Sequence, residues 1–270
     1  MSTDIIEEIK SLKEYKDILL LAHNYQEPMI QELADFKGDS FELAWKSKRL
    51  ENKIIVFAGA EFMAETTAIL NQDKKVLIPS SQAKCPMAHM LSPEKVKKFR
   101  AQYPNAAVAV YVNTTVETKA MADICITSGN AVKIISKLDE RQVLVGPDRN
   151  LASYIQKHVP EKDIIPFPEV GYCYVHQKFL ASDLKNMEEK HPDAEILVHP
   201  EVDPSVQLLA DKICSTSGMI KEVHHSQAEK FIIGTEIGLV DRLRASYPNK
   251  TFIPARNDAI CIQQKKITLY

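Results

Sequence analysis

Three of the chain's five cysteines, Cys85, Cys173 and Cys261, stand at equal intervals of 88 residues. Thiolates are the ligands of iron–sulfur clusters and of many zinc sites. A four-iron cluster normally takes four of them. With three, one iron keeps an exchangeable position and can act as a Lewis acid. The three are far apart in sequence, unlike the short Cys-x-x-Cys spacing of ferredoxins and zinc ribbons, and taken singly each reads as a small buried residue. The interval, however, is shared by other residue types. His23, Tyr111 and His199 are 88 apart, and so are Asp35, Asp123 and Asp211, each preceded by alanine, and Ser40, Ser128 and Thr216. A period held by several residue types at once is an internal repeat. One unit is used three times, and each copy offers one thiol and one set of polar groups to a common pseudo-threefold axis.

The polar series divide by behaviour. Ser40, Ser128 and Thr216 sit in small-residue turns that lead into helices, where hydroxyls and backbone N–H groups suit phosphate or carboxylate, or simply cap the helix. The three aspartates keep one identity and read as structural pairs within each repeat. His23 with Tyr25, Tyr111 with Asn113, and His199 with Glu201 share a phase but not a residue type. Divergence at equivalent positions points to an asymmetric ligand on the axis, served by acid/base groups from His, Tyr and Glu and a neutral hydrogen bond from Asn. Cys125 and Cys214 lie outside the phase and read as small buried residues. Zinc is the rival metal, since Cys85, Cys173 and Cys261 with His176 make a possible Cys3His set.

Helices and short apolar strands alternate in each copy, and these must position the polar groups. Helices are expected at 4–13, 93–102 and 183–190, followed by strands at 18–22, 106–110 and 195–198 that end on the His/Tyr series. Further helices are expected at 30–36, 116–122 and 206–210. Strands follow at 54–57, 142–145 and 231–233, and a last strand ends at Pro79, Pro166 and Pro254, six or seven residues before each cysteine. This is the pattern of parallel sheets covered by helices on both faces, whose ligands bind beyond the carboxyl ends of the strands. The expected architecture is three αβα sandwich domains, 1–89, 90–177 and 178–270, around a central cavity. With a net charge of −2 and interspersed signs, the chain lacks the footprint of a nucleic-acid binder. It has no apolar run approaching the ~18 residues of a membrane span and no secretory signal. An odd cysteine count without such a signal suggests a reducing cytoplasm.

The longer motifs resemble the quinolinate synthase family in its order over nearly the whole chain. They are His23-Asn24-Tyr25-Gln26, Gly38-Asp39-Ser40, Phe62-Met63-Ala64-Glu65-Thr66, Cys85-Pro86-Met87-Ala88, Tyr111-Val112-Asn113-Thr114-Thr115, Pro147-Asp148-Arg149-Asn150-Leu151, Gly171-Tyr172-Cys173 with His176, His199-Pro200-Glu201 and Ser215-Thr216-Ser217-Gly218-Met219-Ile220. The resemblance implies one [4Fe-4S] cluster on Cys85, Cys173 and Cys261. It implies condensation of iminoaspartate with dihydroxyacetone phosphate to quinolinate, phosphate and water for NAD biosynthesis, with iminoaspartate supplied by an aspartate-oxidising enzyme. The substrate-binding positions it implies are His23, Ser40, Tyr111, Asn113, Ser128, His199, Glu201 and Thr216. Tyr25, Tyr111, His199 and Glu201 are the candidate acid/base groups. Ile126 and Val202 stand where cysteine is common, Gly129 where serine or alanine is, Cys214 where glycine is and Gln264 where methionine is. The competing readings are a related cluster-bearing dehydratase with another substrate, and a metal-binding structural or redox-sensing protein.

Overall fold

A computed structural model describes residues 2–269 of the chain. The first stretch carries α1 (Ser2–Tyr15), β1 (Ile18–His23), α2 (Pro28–Leu33), β2 (Phe36–Gly38), α3 (Ser40–Ser47), β3 (Ile54–Ala58), α4 (Glu61–Leu70) and β4 (Lys75–Leu77). The second carries α5 (Pro93–Gln102), β5 (Ala107–Tyr111), α6 (Val116–Lys119), β6 (Ile124–Ile126), α7 (Ala131–Ile135), β7 (Gln142–Gly146), α8 (Arg149–His158) and β8 (Asp163–Pro166). The third carries α9 (Ala181–Lys190), β9 (Glu195–Val198), α10 (Pro204–Gln207), β10 (Lys212–Ile213), α11 (Thr216–His225), β11 (Lys230–Gly234), α12 (Ile237–Ser246) and β12 (Thr251–Pro254). Short 3-10 turns at Met87–His89, His176–Lys178 and Gln264–Lys266 come just after the three repeat cysteines.

Three parallel four-stranded sheets result, ordered β2-β1-β3-β4, β6-β5-β7-β8 and β10-β9-β11-β12, flanked by helices in an α/β three-layer architecture. The register of the central pair repeats too: Leu21 faces Phe57, Ala109 faces Val145 and Leu197 faces Ile233. These strands are continuous apolar runs because helices cover both faces. Residues 19–22, 107–110 and 196–198 are buried along their length.

The aspartate series has a structural role. The backbone N–H groups of Leu20, Val108 and Ile196 donate to Oδ2 of Asp35, Asp123 and Asp211 at 2.7, 2.8 and 2.8 Å. The aspartate N–H groups donate back to the carbonyls of the same three residues. This two-point clasp pulls the chain out of its helix and into an edge strand. It explains why α2, α6 and α10 are shorter than the expected helices, and why the unexpected short strands β2, β6 and β10 form. A second series, 88 apart, ties down the next helices. Lys74, Lys162 and Lys250 each direct the ammonium group at two carbonyls at or just past the C-terminal ends of α3, α7 and α11, where cations complement the helix dipole.

By their contacts the residues group into two compact units, 1–85 with 261–270, and 86–260. The segments after Cys85 and Cys261 each join the core of a sheet other than the one they follow. Leu91 packs with Val108, Val110 and Leu144, and Ile267 packs with Ala22, Ile30 and Ala58. Among the described residues no helix is long and apolar enough to cross a membrane.

Asp123→Ala strands the N–H of fully buried Val108, so a loss of about 1–3 kcal/mol is expected, while Asp123→Asn, which retains an acceptor, loses less. Urea unfolding of both variants measures the difference; equal midpoints would remove the clasp's role.

Candidate active site

The order of each sheet reverses between its two central strands, and ligands of open parallel sheets bind at that point, beyond the carboxyl ends. β1 and β5 end there on His23 and Tyr111, and His199 directly follows β9. The loops that follow are fastened alike. Gln31 Nε2 donates to the carbonyls of Asn24 and Gln26, Gln207 Nε2 to those of Pro200 and Val202, and Lys119 Nζ to that of Thr114. Positions 31, 119 and 207 are again 88 apart. The backbone N–H two residues on donates to the histidine Nδ1, from Tyr25 to His23 at 3.2 Å and from Glu201 to His199 at 3.4 Å. An Nδ1 that accepts leaves the ring hydrogen on Nε2.

Within 86–260 the strand ends meet in a buried polar network around Glu201. Its carboxylate, 3% exposed, accepts from His176 Nδ1 at 2.7 Å and from the Tyr111 side chain. The other ring nitrogen of His176 lies 2.8 Å from the Thr235 hydroxyl. The His176 and His199 rings stack with centroids 4.5 Å apart. Asn150 Nδ2 holds the Glu201 carbonyl at 2.9 Å. Burial works to raise the Glu201 carboxyl, but His199, His176 and the two hydrogen bonds outweigh it and hold it down at about 2. Burial drives His199 down to about 3, with His176 acting the same way, so its ring is neutral. Asp148 is held well above the usual carboxyl range by burial and by the Glu201 charge. Two neighbouring carboxyls are thus pushed in opposite directions, Glu201 downward and Asp148 upward, a separation also found in acid–base sites.

Asp148 also builds the cysteine loop. One oxygen caps α8 through Leu151 N–H at 2.7 Å and the other accepts from Cys173 N–H at 3.2 Å. Gly171 is needed for that approach, because a Cβ there would lie 1.7 Å from the Pro147 carbonyl oxygen. Cys173, His176 and Glu201 bring possible ligand atoms within 4.8 Å of one another, near enough to hold a metal ion. Since both ring nitrogens of His176 are already engaged, its orientation does not suit the zinc reading.

Cys85, Cys173 and Cys261 are each half-buried, just past the last strand of a sheet and before a 3-10 turn. Each thiol thus occupies the equivalent place after its own sheet, and soft thiolates are the donor type that iron–sulfur clusters take. The other two cysteines differ. Cys214 is half-buried, with its thiol pushed up to about 12 by burial and by Glu222. Cys125 is exposed rather than buried as expected, because it lies on edge strand β6 while its neighbour Ile126 turns inward.

In the unit formed by 1–85 and 261–270, the His23 and Tyr25 rings meet edge to face at 4.7 Å. Gln264 Nε2 lies 3.2 Å from His23 Nδ1, and Lys265 Nζ donates to the Tyr25 carbonyl at 2.6 Å. Ser40 and Thr216 are buried first residues of α3 and α11, but neither is the cap. Asp39 and Ser215 accept the capping hydrogen bonds from Glu42 and Gly218 N–H. Ser128 and Asn113 are half-buried in the loops after β6 and β5. Within 86–260 the structure therefore gathers Tyr111, His199 and Glu201, and within the other unit His23 and Tyr25. Sequence reasoning missed Asp148, Asn150 and Thr235 as positioning groups, and took His176 only as a possible metal ligand.

A family model described as Quinolinate synthetase A protein matches residues 7–270. Curated relatives named quinolinate synthase include one from Methanothermobacter thermautotrophicus, 54% identical over 270 residues, covering 100% of this chain and 88% of the relative. The Methanocaldococcus jannaschii protein is 52% identical over 274 residues, covering 100% and 89%. The Pyrococcus abyssi protein is 52% identical over 266 residues, covering 98% and 88%.

The neutral His199 makes a test. Unfolding frees it to titrate near 6.5, while the fold resists protonation until about 3. The unfolded state then binds more protons in that window, so this residue subtracts stability as pH falls below 6.5. His199→Gln should lose stability less steeply than the parent between about pH 7 and pH 5 in urea titrations. Parallel slopes would contradict a neutral buried ring.

Proposed function

The chain belongs to the quinolinate synthetase A family of enzymes, and from that premise we propose that it condenses iminoaspartate with dihydroxyacetone phosphate to give quinolinate, phosphate and water in NAD biosynthesis. The observation that carries the reading is the Glu201 network. An ionised, water-excluded carboxylate bonded to a tyrosine and a histidine is placed at the carboxyl ends of parallel strands. Condensation, isomerisation and dehydration each need a proton taken from one atom and returned to another.

In this reading Glu201 accepts protons and the Tyr111 hydroxyl, already donating to it, passes them between substrate and carboxylate. Tyr25 is the second acid/base group. His199, neutral and with its hydrogen on Nε2, donates to a substrate oxygen, and His23 does the same. Asn113 adds a neutral hydrogen bond. Ser40, Ser128 and Thr216 bind phosphate or carboxylate oxygens; Ser40 and Thr216 do so from the first turns of α3 and α11, where backbone N–H groups favour an anion. Capping of both helices falls to Asp39 and Ser215. Cys85, Cys173 and Cys261 would hold one [4Fe-4S] cluster, one from each of three repeats at 1–89, 90–177 and 178–270. When bound, the cluster supplies an iron with an open position that polarises substrate oxygen or nitrogen as a Lewis acid. Asp148 serves that site by fixing the Cys173 backbone. The chemistry suits a reducing cytoplasm, with small molecules as partners and an aspartate-oxidising enzyme as the source of the imine.

Protein purified without oxygen is expected to carry about four irons per chain and to form quinolinate from iminoaspartate and dihydroxyacetone phosphate. Serine at Cys85, Cys173 or Cys261 should remove most of the iron and the activity together, while Cys125→Ser should leave both. Iron-loaded protein that makes no quinolinate would favour a dehydratase with another substrate. Zinc without iron would overturn the cluster.

A further inference from the structure

The residue three places after each repeat cysteine is Ala88, His176 or Gln264, again 88 apart and again of different types. Two of these reach the polar end of a central strand. In 86–260, His176 bonds Glu201 and stacks on His199. In the unit formed by 1–85 and 261–270, the corresponding residue is Gln264, 3% exposed, whose Nε2 lies 3.2 Å from His23 Nδ1. We propose that Gln264 is a positioning residue that holds His23 as the neutral tautomer with its hydrogen on Nε2, so that His23 is a fixed hydrogen-bond donor to substrate and not a proton carrier. The inference rests on the reading of His23 as a substrate-binding residue.

The geometry is over-determined. Gln26 Nε2, which can only donate, faces the carbonyl oxygen of Gln264 at 3.2 Å and its Oε1 at 3.3 Å. That contact fixes the Gln264 amide with its oxygen toward Gln26 and its nitrogen toward the imidazole. An amide nitrogen carries only hydrogens to give, so Nδ1 of His23 must accept. The Tyr25 backbone N–H, 3.2 Å from the same Nδ1, makes the same demand. Two donors converging on one ring nitrogen exclude a hydrogen there, and the remaining hydrogen sits on Nε2. His176 is different in kind, because its partner Glu201 only accepts and therefore requires a hydrogen on Nδ1. The same place in two repeats thus does two jobs: Gln264 fixes the tautomer of a binding histidine, and His176 itself donates from Nδ1 to a carboxylate that moves protons.

Long-range proton–nitrogen NMR spectra of the histidine rings in the anaerobically purified protein test this, with the His23 signal assigned by its loss in His23→Asn. The expected result is a single neutral Nε2–H tautomer for His23 in the parent, tautomer mixing in Gln264→Met, and a hydrogen on Nδ1 in Gln264→Glu, whose carboxylate can only accept. In turnover, Gln264→Met should raise a substrate KM on the order of fivefold, the loss of one hydrogen bond of about 1 kcal/mol, with kcat changed less than about twofold. A hydrogen on Nδ1 in the parent overturns the proposal. So does an unchanged tautomer and KM in Gln264→Met, which also decides the matter if glutamate disturbs folding at so buried a place. The spectra do not depend on which reaction is catalysed, so a protein that makes no quinolinate can still pass or fail them.

Discussion

A carboxylate as enclosed as Glu201 stays ionised only if its lost hydration is replaced by donors of fixed geometry. His176 and Tyr111 supply those donors, and Asn150 pins the backbone from the other side. These groups come from the end of β5, the first turn of α8, the 3-10 turn after Cys173 and the loop after β9. Each must arrive at its place for the charge to be tolerated, so the placement of strand ends and loops in 86–260 is bound up with one buried negative charge. Asp148, close enough to feel that charge, is raised well above the usual carboxyl range and is used instead to hold the Cys173 loop.

The fold achieves such placement by repeating a few local devices. The aspartate clasp on Leu20, Val108 and Ile196 fixes where each central strand meets its edge strand. The amide or ammonium at 31, 119 and 207 fixes the loop beyond the strand, and the lysine at 74, 162 and 250 fixes the far end of the helix that follows. Each device satisfies backbone groups that a short strand or a helix end would leave unpaired. With the frame secured, the residues at the strand ends were able to diverge, and the chemistry lies in that divergence.

Much of this was legible from the period of 88. It identified the three cysteines, the aspartates and the strand-end residues, and the continuous apolar runs marked the central strands. Edge strands β2, β6 and β10 were not legible, because segments such as Lys212–Ile213 carry no strand pattern of their own and form only by pairing with a buried neighbour. Ser40 and Thr216 read as caps, yet the residue before each does the capping, a difference of one position that no propensity resolves. Asp148 looked like part of a motif without a task, since its two acceptors serve a helix and a loop 25 residues away. His176 could have been found by the criterion that singled out His199. Its position, with Ala88 and Gln264, is also constant in phase and variable in type.

The account comes down to whether Glu201 moves protons during turnover. The most direct measurement is the rate of quinolinate formation by iron-loaded Glu201→Gln protein, with iron content matched to the parent. Loss of a positioned general base predicts a fall of about 10²–10⁴-fold in kcat. A variant that keeps its iron and turns over within a few-fold of the parent would show that the buried carboxylate is part of the scaffold and that the chemistry is done elsewhere.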